Sequence, residues 1–186
     1  MPIQKVTKDK VINNALLLFK KQGYHRTSMA DLAAACGLMK GSFYHYFSGK
    51  EALMKEVLGS VHSYFSVKVF PIAFDESLAP RQRLEKLIAK QIRVVSDTEG
   101  GCLMGNMAIE TALVTDEFIP QMRVFFEEYL QTLTHLYAFR HPPETAQKLA
   151  QQAVVEYEGA WIMVKLTNDY QYLKDVLQHA LDRFDQ

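Results

Sequence analysis

Residues 27–51, TSMADLAAACGLMKGSFYHYFSGKE, decide the fold of this chain. Met29, Leu32 and Ala33 stand at i, i+3 and i+4, the spacing that buries one face of a helix over residues 29–35. Thr27 and Ser28 supply hydroxyls that can cap its first amides. Gly37 ends it where a left-handed residue is needed. A second helix is predicted over about residues 40–47, with Phe43 and Phe47 turned inward. Lys40, Ser42, Tyr44, His45 and Tyr46 are left on its other sides. This is a helix-turn-helix with a polar second helix, the form that enters a DNA major groove. Gly41 lets backbone approach the duplex, and the helix start at Thr27 and Ser28 offers amides and hydroxyls to a phosphate. Tyr44 is read as facing DNA and Tyr46 as half-buried packing. Ser48 and Glu51 read as a capping box that opens the next helix.

The segment from about residue 7 to 57 resembles the DNA-binding domain of the tetracycline-repressor (TetR) family of bacterial transcriptional regulators. The resemblance rests on Ala15, Phe19, Gly23-Tyr24, Thr27-Ser28-Met29, Asp31-Leu32-Ala33, Cys36-Gly37-Leu38, the run Lys40 to Phe47, and Lys50 to Leu53. It implies that Lys50 meets a phosphate and that Lys40, Ser42, Tyr44 and His45 face the groove. Met39 departs from the pattern, since Ser, Thr or Pro usually opens the second helix. Its loss of a cap costs about 0.5–2 kcal/mol if uncompensated.

Charge supports a DNA-facing head. Residues 1–50 hold eight basic groups (Lys5, Lys8, Lys10, Lys20, Lys21, Arg26, Lys40 and Lys50) against Asp9 and Asp31, a net +6. The remaining residues hold 13 basic and 19 acidic groups, a net −6, so a total of zero conceals an asymmetry. Hydrophobic residues at 48% and charged ones at 23% describe a globular chain with one sizeable core or two small ones. No apolar run approaches the roughly 20 residues of a bilayer span, and no apolar signal core follows the first Met. Two cysteines without a framework fit a reducing cytoplasm, the expected location.

Hydrophobic spacing predicts an all-α chain of nine helices. A helix-turn-helix DNA-binding domain takes residues 1–50, and a helical ligand-binding and dimerisation domain takes 51–186. Residues 71–80 read as a loop. The eighth helix carries Ala146, Ala150, Ala153 and Ala160, and the ninth a stripe including Val176, Leu177 and Leu181. The resemblance implies that these two helices form a two-fold, four-helix dimer.

Cys102 follows Gly100-Gly101 at the start of the sixth helix, where a helix dipole favours a thiolate and Asp97 and Glu99 oppose it. A small, buried, inert cysteine has the same signature, and exposure decides between the two. The Gly-Cys-Leu segment resembles a branch of the family that responds to electrophiles or oxidants, and Lys165 stands where that branch can carry Lys. Met104, Met107, Phe125, Phe126, Tyr129, Tyr157, Trp161 and Met163 are candidates to line an apolar effector pocket, with Asn106, Glu110 and Tyr157 to orient the ligand. No HExxH, CxxC or phosphate-cradling glycine loop is present, which argues against an enzyme; no metal or cofactor is expected. The expected function is a repressor that binds palindromic double-stranded DNA as a homodimer and is released by a small apolar or electrophilic effector. The alternative is a regulator that senses nothing and acts through a protein partner.

Overall fold

The computed structural model describes residues 6–186; Lys5 of the basic head lies outside them. The described residues form nine α-helices and no strand: α1 (Lys8–Gln22), α2 (Met29–Ala35), α3 (Lys40–Phe43), α4 (Lys50–Lys68), α5 (Pro80–Ser96), α6 (Leu103–Thr111), α7 (Ile119–Tyr137), α8 (Pro143–Thr167) and α9 (Gln171–Asp185). The segment after α4, read as a loop, opens with a 3-10 turn over Phe70–Phe74, with Pro71 in its first turn and Phe70 and Ala73 buried.

Two compact units result. The chain up to His62, together with Leu103–Met122, forms one; Ser63–Cys102 with Arg123–Gln186 forms the other. The division between the units falls within α4, and α6 packs with the first three helices. The reason is a helix-turn-helix core that needs a further wall. Val11, Ala15, Phe19, Leu32, Phe43, Leu53 and Met54 are buried in this unit, and so are Met104 and Met107 from α6.

Within residues 50–74 an 18-residue window reaches a mean hydropathy of 1.2, so by length and composition alone this helical stretch could cross a bilayer. Their most apolar members nonetheless have protein partners. Leu53, Met54, Val57 and Leu58 are buried in the first unit, and Phe65, Val69 and Phe70 in the second. Lys50, Glu51, Lys55, Glu56 and Lys68 interrupt the stretch.

The second unit is built on aromatic contacts. Phe125 meets Phe65 edge-on at 5.3 Å and Phe70 at 5.8 Å; Phe70 stacks on Tyr129, and Tyr129 meets Tyr157 at 6.3 Å. Tyr157 in turn meets Trp161 edge-on. Such pairs contribute about 0.5–1.5 kcal/mol each beyond area burial. The alanines of α8 (Ala146, Ala150, Ala153, Ala160) are buried inside the protomer, as are Val176, Ala180, Leu181 and Phe184 of α9. They close the core of one chain and are not offered to a second. Ion pairs fasten the chain end: Glu156 takes His179 and Arg183, and Arg81 Nε lies 2.9 Å from Asp185.

One local expectation changes. The second helix of the helix-turn-helix is a single turn, Lys40–Phe43, continued as turns through Tyr46. Met39 sits at its N-cap with no side-chain hydrogen bond, and Gly41 lies in its first turn. Both weaken a short helix. The next helix starts at Lys50, and Glu51 pairs forward with Lys55 at 3.4 Å. A capping box closes the start of α2. The Asp31 amide donates to Ser28 Oγ at 3.2 Å, and the Ser28 amide and hydroxyl donate to the Asp31 carboxylate at 2.9 and 2.6 Å. The hydroxyl bond from Ser28 holds the Asp31 carboxyl below its usual range. Because Met39 is 79% exposed, replacing it removes no core packing. Met39→Ser should gain about 0.5–2 kcal/mol in urea unfolding and raise helical circular dichroism.

Candidate DNA-binding face and buried thiol cluster

The turn between α1 and α2 is tied from three directions. The Thr27 hydroxyl donates to the Gly23 carbonyl at 2.6 Å, and the Thr27 side chain is buried. Lys50 Nζ donates to the Tyr24 carbonyl at 2.8 Å and sits 4.4 Å above the Tyr24 ring. The Glu110 carboxylate on α6 accepts the amides of Tyr24 at 2.8 Å and His25 at 3.3 Å. His25 Nε2 also lies 3.1 Å from the Glu110 carbonyl. Gly23 has φ +83°, and a Cβ there would stand 2.8 Å from Glu110 Oε1, so only glycine fits both the turn and the carboxylate. Desolvation lowers the Lys50 pKa, and the Glu110 charge opposes that shift.

Three residues singled out in the sequence have partners within the protein here. Thr27 gives its hydroxyl to the Gly23 carbonyl. Lys50 gives its ammonium to the same turn. Glu110, expected to orient a ligand, anchors backbone amides. A deep hydrogen-bonding role for Glu110 has no local signature, because its partners lie more than eighty residues away in sequence. The exposed DNA candidates are Ser28, Lys40, Gly41, Tyr44 and His45, with Ser42 half-buried. Phe43 and Phe47 are buried beneath them at 6.4 Å from each other. Tyr46 donates its hydroxyl to the Val6 carbonyl at 2.6 Å and is held on the protein side. Of the basic head, Arg26 and Lys40 are exposed, while Lys8 is engaged by Glu56 at 2.8 Å.

The second unit gathers a polar cluster in its aromatic core. Gly100 and Gly101 both have positive φ, 101° and 71°. A Cβ on Gly101 would lie 3.1 Å from Lys165 Cε and 3.3 Å from Trp161 Cε3, so α8 crosses closely over this turn. Cys102 is buried beside this turn. Burial raises the Glu158 carboxyl to about 7; the Cys102 thiol and the Lys165 charge act against the rise. Burial likewise raises the Tyr129 and Tyr157 hydroxyls. Gln91 of α5 bonds the Tyr129 hydroxyl, yet its Oε1 has no partner within the protein. Tyr157 Oη and Trp161 Nε1 are also buried without one. The indole lies near enough to favour Tyr157 ionisation but does not meet hydrogen-bond geometry.

Of the effector candidates, Cys102, Tyr157, Trp161 and Lys165 therefore come together, with Lys165 at the exposed edge. Phe126 is half-buried and touches Phe125 instead. Asn106 is half-buried on α6, within the first unit. Two surface clefts of about 280 and 450 Å³ lie elsewhere, between residues such as Ser66, Phe74 and Gln131, and between His135, Pro143 and Gln151. Glu158 and Gln91 are the members that sequence reasoning did not assign to this site, whereas Tyr129 was among its pocket candidates. Glu158, Trp161 and Lys165 stand at i, i+3 and i+7, one helical face, and that spacing was the available signal.

Comparison with known proteins agrees with this architecture. The description "Bacterial regulatory proteins, tetR family" matches residues 11–57, and "Transcriptional regulator LmrA/YxaF-like, C-terminal domain" matches residues 80–179. The chain belongs to the TetR family. Its TetR-type head and LmrA/YxaF-like body make it a helix-turn-helix transcriptional regulator. The HTH-type transcriptional repressor DhaR of Mycobacterium sp. (strain GP1) is 28% identical over 65% of this chain. The uncharacterized regulator YxaF of Bacillus subtilis is 32% identical over 59% of it. These matches span 60% and 59% of those relatives' lengths. A TetR regulator from Legionella pneumophila superposes with a TM-score of 0.87 at 24% identity, covering 98% of both chains.

The cluster makes stability depend on pH in a definite direction. An ordinary Glu titrates near 4.3 when unfolded, whereas Glu158 holds its proton to about 7 when folded. The folded state therefore binds the proton more tightly. Stability from this group is full below about pH 4.3 and is lost as pH rises to about 7, by up to about 1.4 kcal/mol per pH unit. Urea unfolding across that range should show this loss relative to Glu158→Gln, whose curve lacks it.

Proposed function

We propose that this TetR-family regulator is a repressor that binds a palindromic operator as a homodimer and releases it when a small apolar or electrophilic effector acts near Cys102. The observation that carries the reading is the exposed Ser28, Lys40, Gly41, Tyr44 and His45 set on a buried Phe43–Phe47 base. Lys40 and Ser28 suit phosphate, and Tyr44 and His45 suit phosphate or base edges. Thr27 and Lys50 support that face from within. A regulator of bacterial DNA works where the DNA is, in the cytoplasm. DhaR is named as a repressor, and repression is carried over on that likeness.

The dimer reading moves to a different face from that expected. Val155, Gly159, Ile162 and Leu166 share one side of α8 at i, i+4, i+7 and i+11. Val155 is 73% exposed and Leu166 75%, and a Cβ on Gly159 would meet nothing. An exposed apolar stripe around a glycine fits a second copy of the same helix, packed closely about a two-fold axis. Binding to fragments selected from the chain's own genome should weaken with salt at a log–log slope of about −0.9 per phosphate neutralised. Leu166→Glu should yield monomers by light scattering and lose operator binding together. A salt-independent affinity, or a monomer that binds the palindrome unchanged, would sink this reading.

The sensing reading rests on the thiol cluster and on α6, which runs from Leu103, next to Cys102, to Thr111 and carries Glu110. Strain applied at Cys102 reaches α6 through the peptide bond, and Glu110 holds the amides of Tyr24 and His25. A coupling of about 1–3 kcal/mol suffices to release DNA 5–150-fold. An electrophile such as N-ethylmaleimide should release operator from the parent and from Cys36→Ser, but not from Cys102→Ser. Equal release from all three proteins would reduce Cys102 to packing.

A further inference from the structure

We infer that Met39 reads the operator sequence, packing its side chain against the C5-methyl group of a thymine in the major groove. The inference rests on the proposed operator binding through α3 and assigns an apolar, base-reading contact to that face. Met39 is the N-cap residue of α3 and is 79% exposed. Its backbone accounts for the exposure. The Phe43 amide donates to the Met39 carbonyl at 3.1 Å, the i to i+4 relation that puts two side chains on one helix face. Phe43 is wholly buried on that face. Met39 has φ −69° and ψ 147°, an extended conformation outside the helix, and its side chain leaves the face that Phe43 keeps. The surroundings are open and polar. Lys40, Gly41, Tyr44 and His45 are exposed, and a Cβ on Gly37 or Gly41 would meet nothing within 4 Å.

Within the protein Met39 carries two costs and no gain. It caps no amide at a position where Ser, Thr, Asp or Asn would. Its apolar surface meets water and adds nothing to the core. A residue that breaks a local rule without a gain inside the fold marks a functional position.

The chemistry of the groove supplies the gain. In a helix-turn-helix, residues at the leading end of the second helix reach base edges. Thymine presents a C5-methyl group there, an apolar feature that the other bases lack. Methionine is unbranched and adaptable, which suits a contact with one methyl group, and its thioether is only a weak acceptor. Lys40, the next residue, only donates, so it meets phosphate or the O6 and N7 acceptors of guanine. Met39 has no donor for either, and the thymine methyl is the base feature it distinguishes.

The test uses the full chain and an operator selected from fragments of its own genome. Each thymine of that operator is replaced in turn by deoxyuridine, which removes only the C5-methyl group. Affinity is read by fluorescence anisotropy at fixed salt. In the parent, one thymine in each half-site should show a loss of about 4-fold, the effect of one methyl group's burial, and the pair about 16-fold. Met39→Ser should lose that sensitivity at those two positions and keep the parent's response at every other thymine. Met39→Leu should retain it. The log–log salt slope should be the same in parent and Met39→Ser, because Met39 neutralises no phosphate. Met39→Ser gains a cap, so its altered response does not arise from a failure to fold, and circular dichroism checks this. A thymine scan that reads alike in parent and Met39→Ser, or a parent indifferent to every methyl group, would overturn this inference and leave operator binding standing. If the chain selects no fragment, the operator reading fails, and this assignment fails with it.

Discussion

The Glu110 carboxylate takes two backbone amides of the turn between α1 and α2, and the orientation of the helix-turn-helix depends on that bond. The turn is short, Gly23 has positive φ, and the amides of Tyr24 and His25 point toward α6. A buried amide left unpaired costs more than the net value of the bond that pairs it. Removing the carboxylate would therefore free the turn as well as delete a contact. Thr27 and Lys50 satisfy the turn's carbonyls from the other side. The DNA-facing side chains of α3 are carried on a single helical turn without a side-chain cap, so their placement relies on this anchoring and on Phe43 and Phe47 beneath.

The same residue types serve opposite purposes in the two units. In the first, a half-buried carboxylate and an ammonium close backbone hydrogen bonds and make a rigid support. In the second, a half-buried carboxyl raised to about 7, a thiol and two unpartnered donors form an incompletely satisfied cluster. Incomplete satisfaction destabilises a core and marks a place where function tolerates that cost. The aromatic contacts running from Phe65 to Trp161 offset it by supplying apolar burial on every side.

The helix count, the helix-turn-helix and its buried Phe43 and Phe47 were legible in the sequence, because 3.6-residue spacing and Gly37 are local signals. So were the polar residues that α3 leaves exposed. The cap expected from Ser28 is present, and it is completed by Asp31, which reaches back to the Ser28 amide. The alanines of α8 were read as dimer packing, yet small residues serve an internal helix contact equally well. The exposed stripe of Val155, Ile162 and Leu166 became visible only once the other face of α8 was occupied.

Sequence alone determined the family, the all-α class and the basic head, since each rests on residues close together in the chain. Tertiary structure decided what Thr27, Lys50 and Glu110 do, because a polar side chain's role depends on which unpaired backbone group lies within 3 Å. It also decided the composition of the thiol cluster. Gln91, Cys102, Tyr129 and Glu158 come from separate segments, and nothing in their local spacing announces that they meet. Their chemistry comes from shared burial: beside the buried aromatic rings the half-buried Glu158 carboxyl keeps its proton to about 7, whereas the same residue fully exposed on α8 would be an ordinary surface charge.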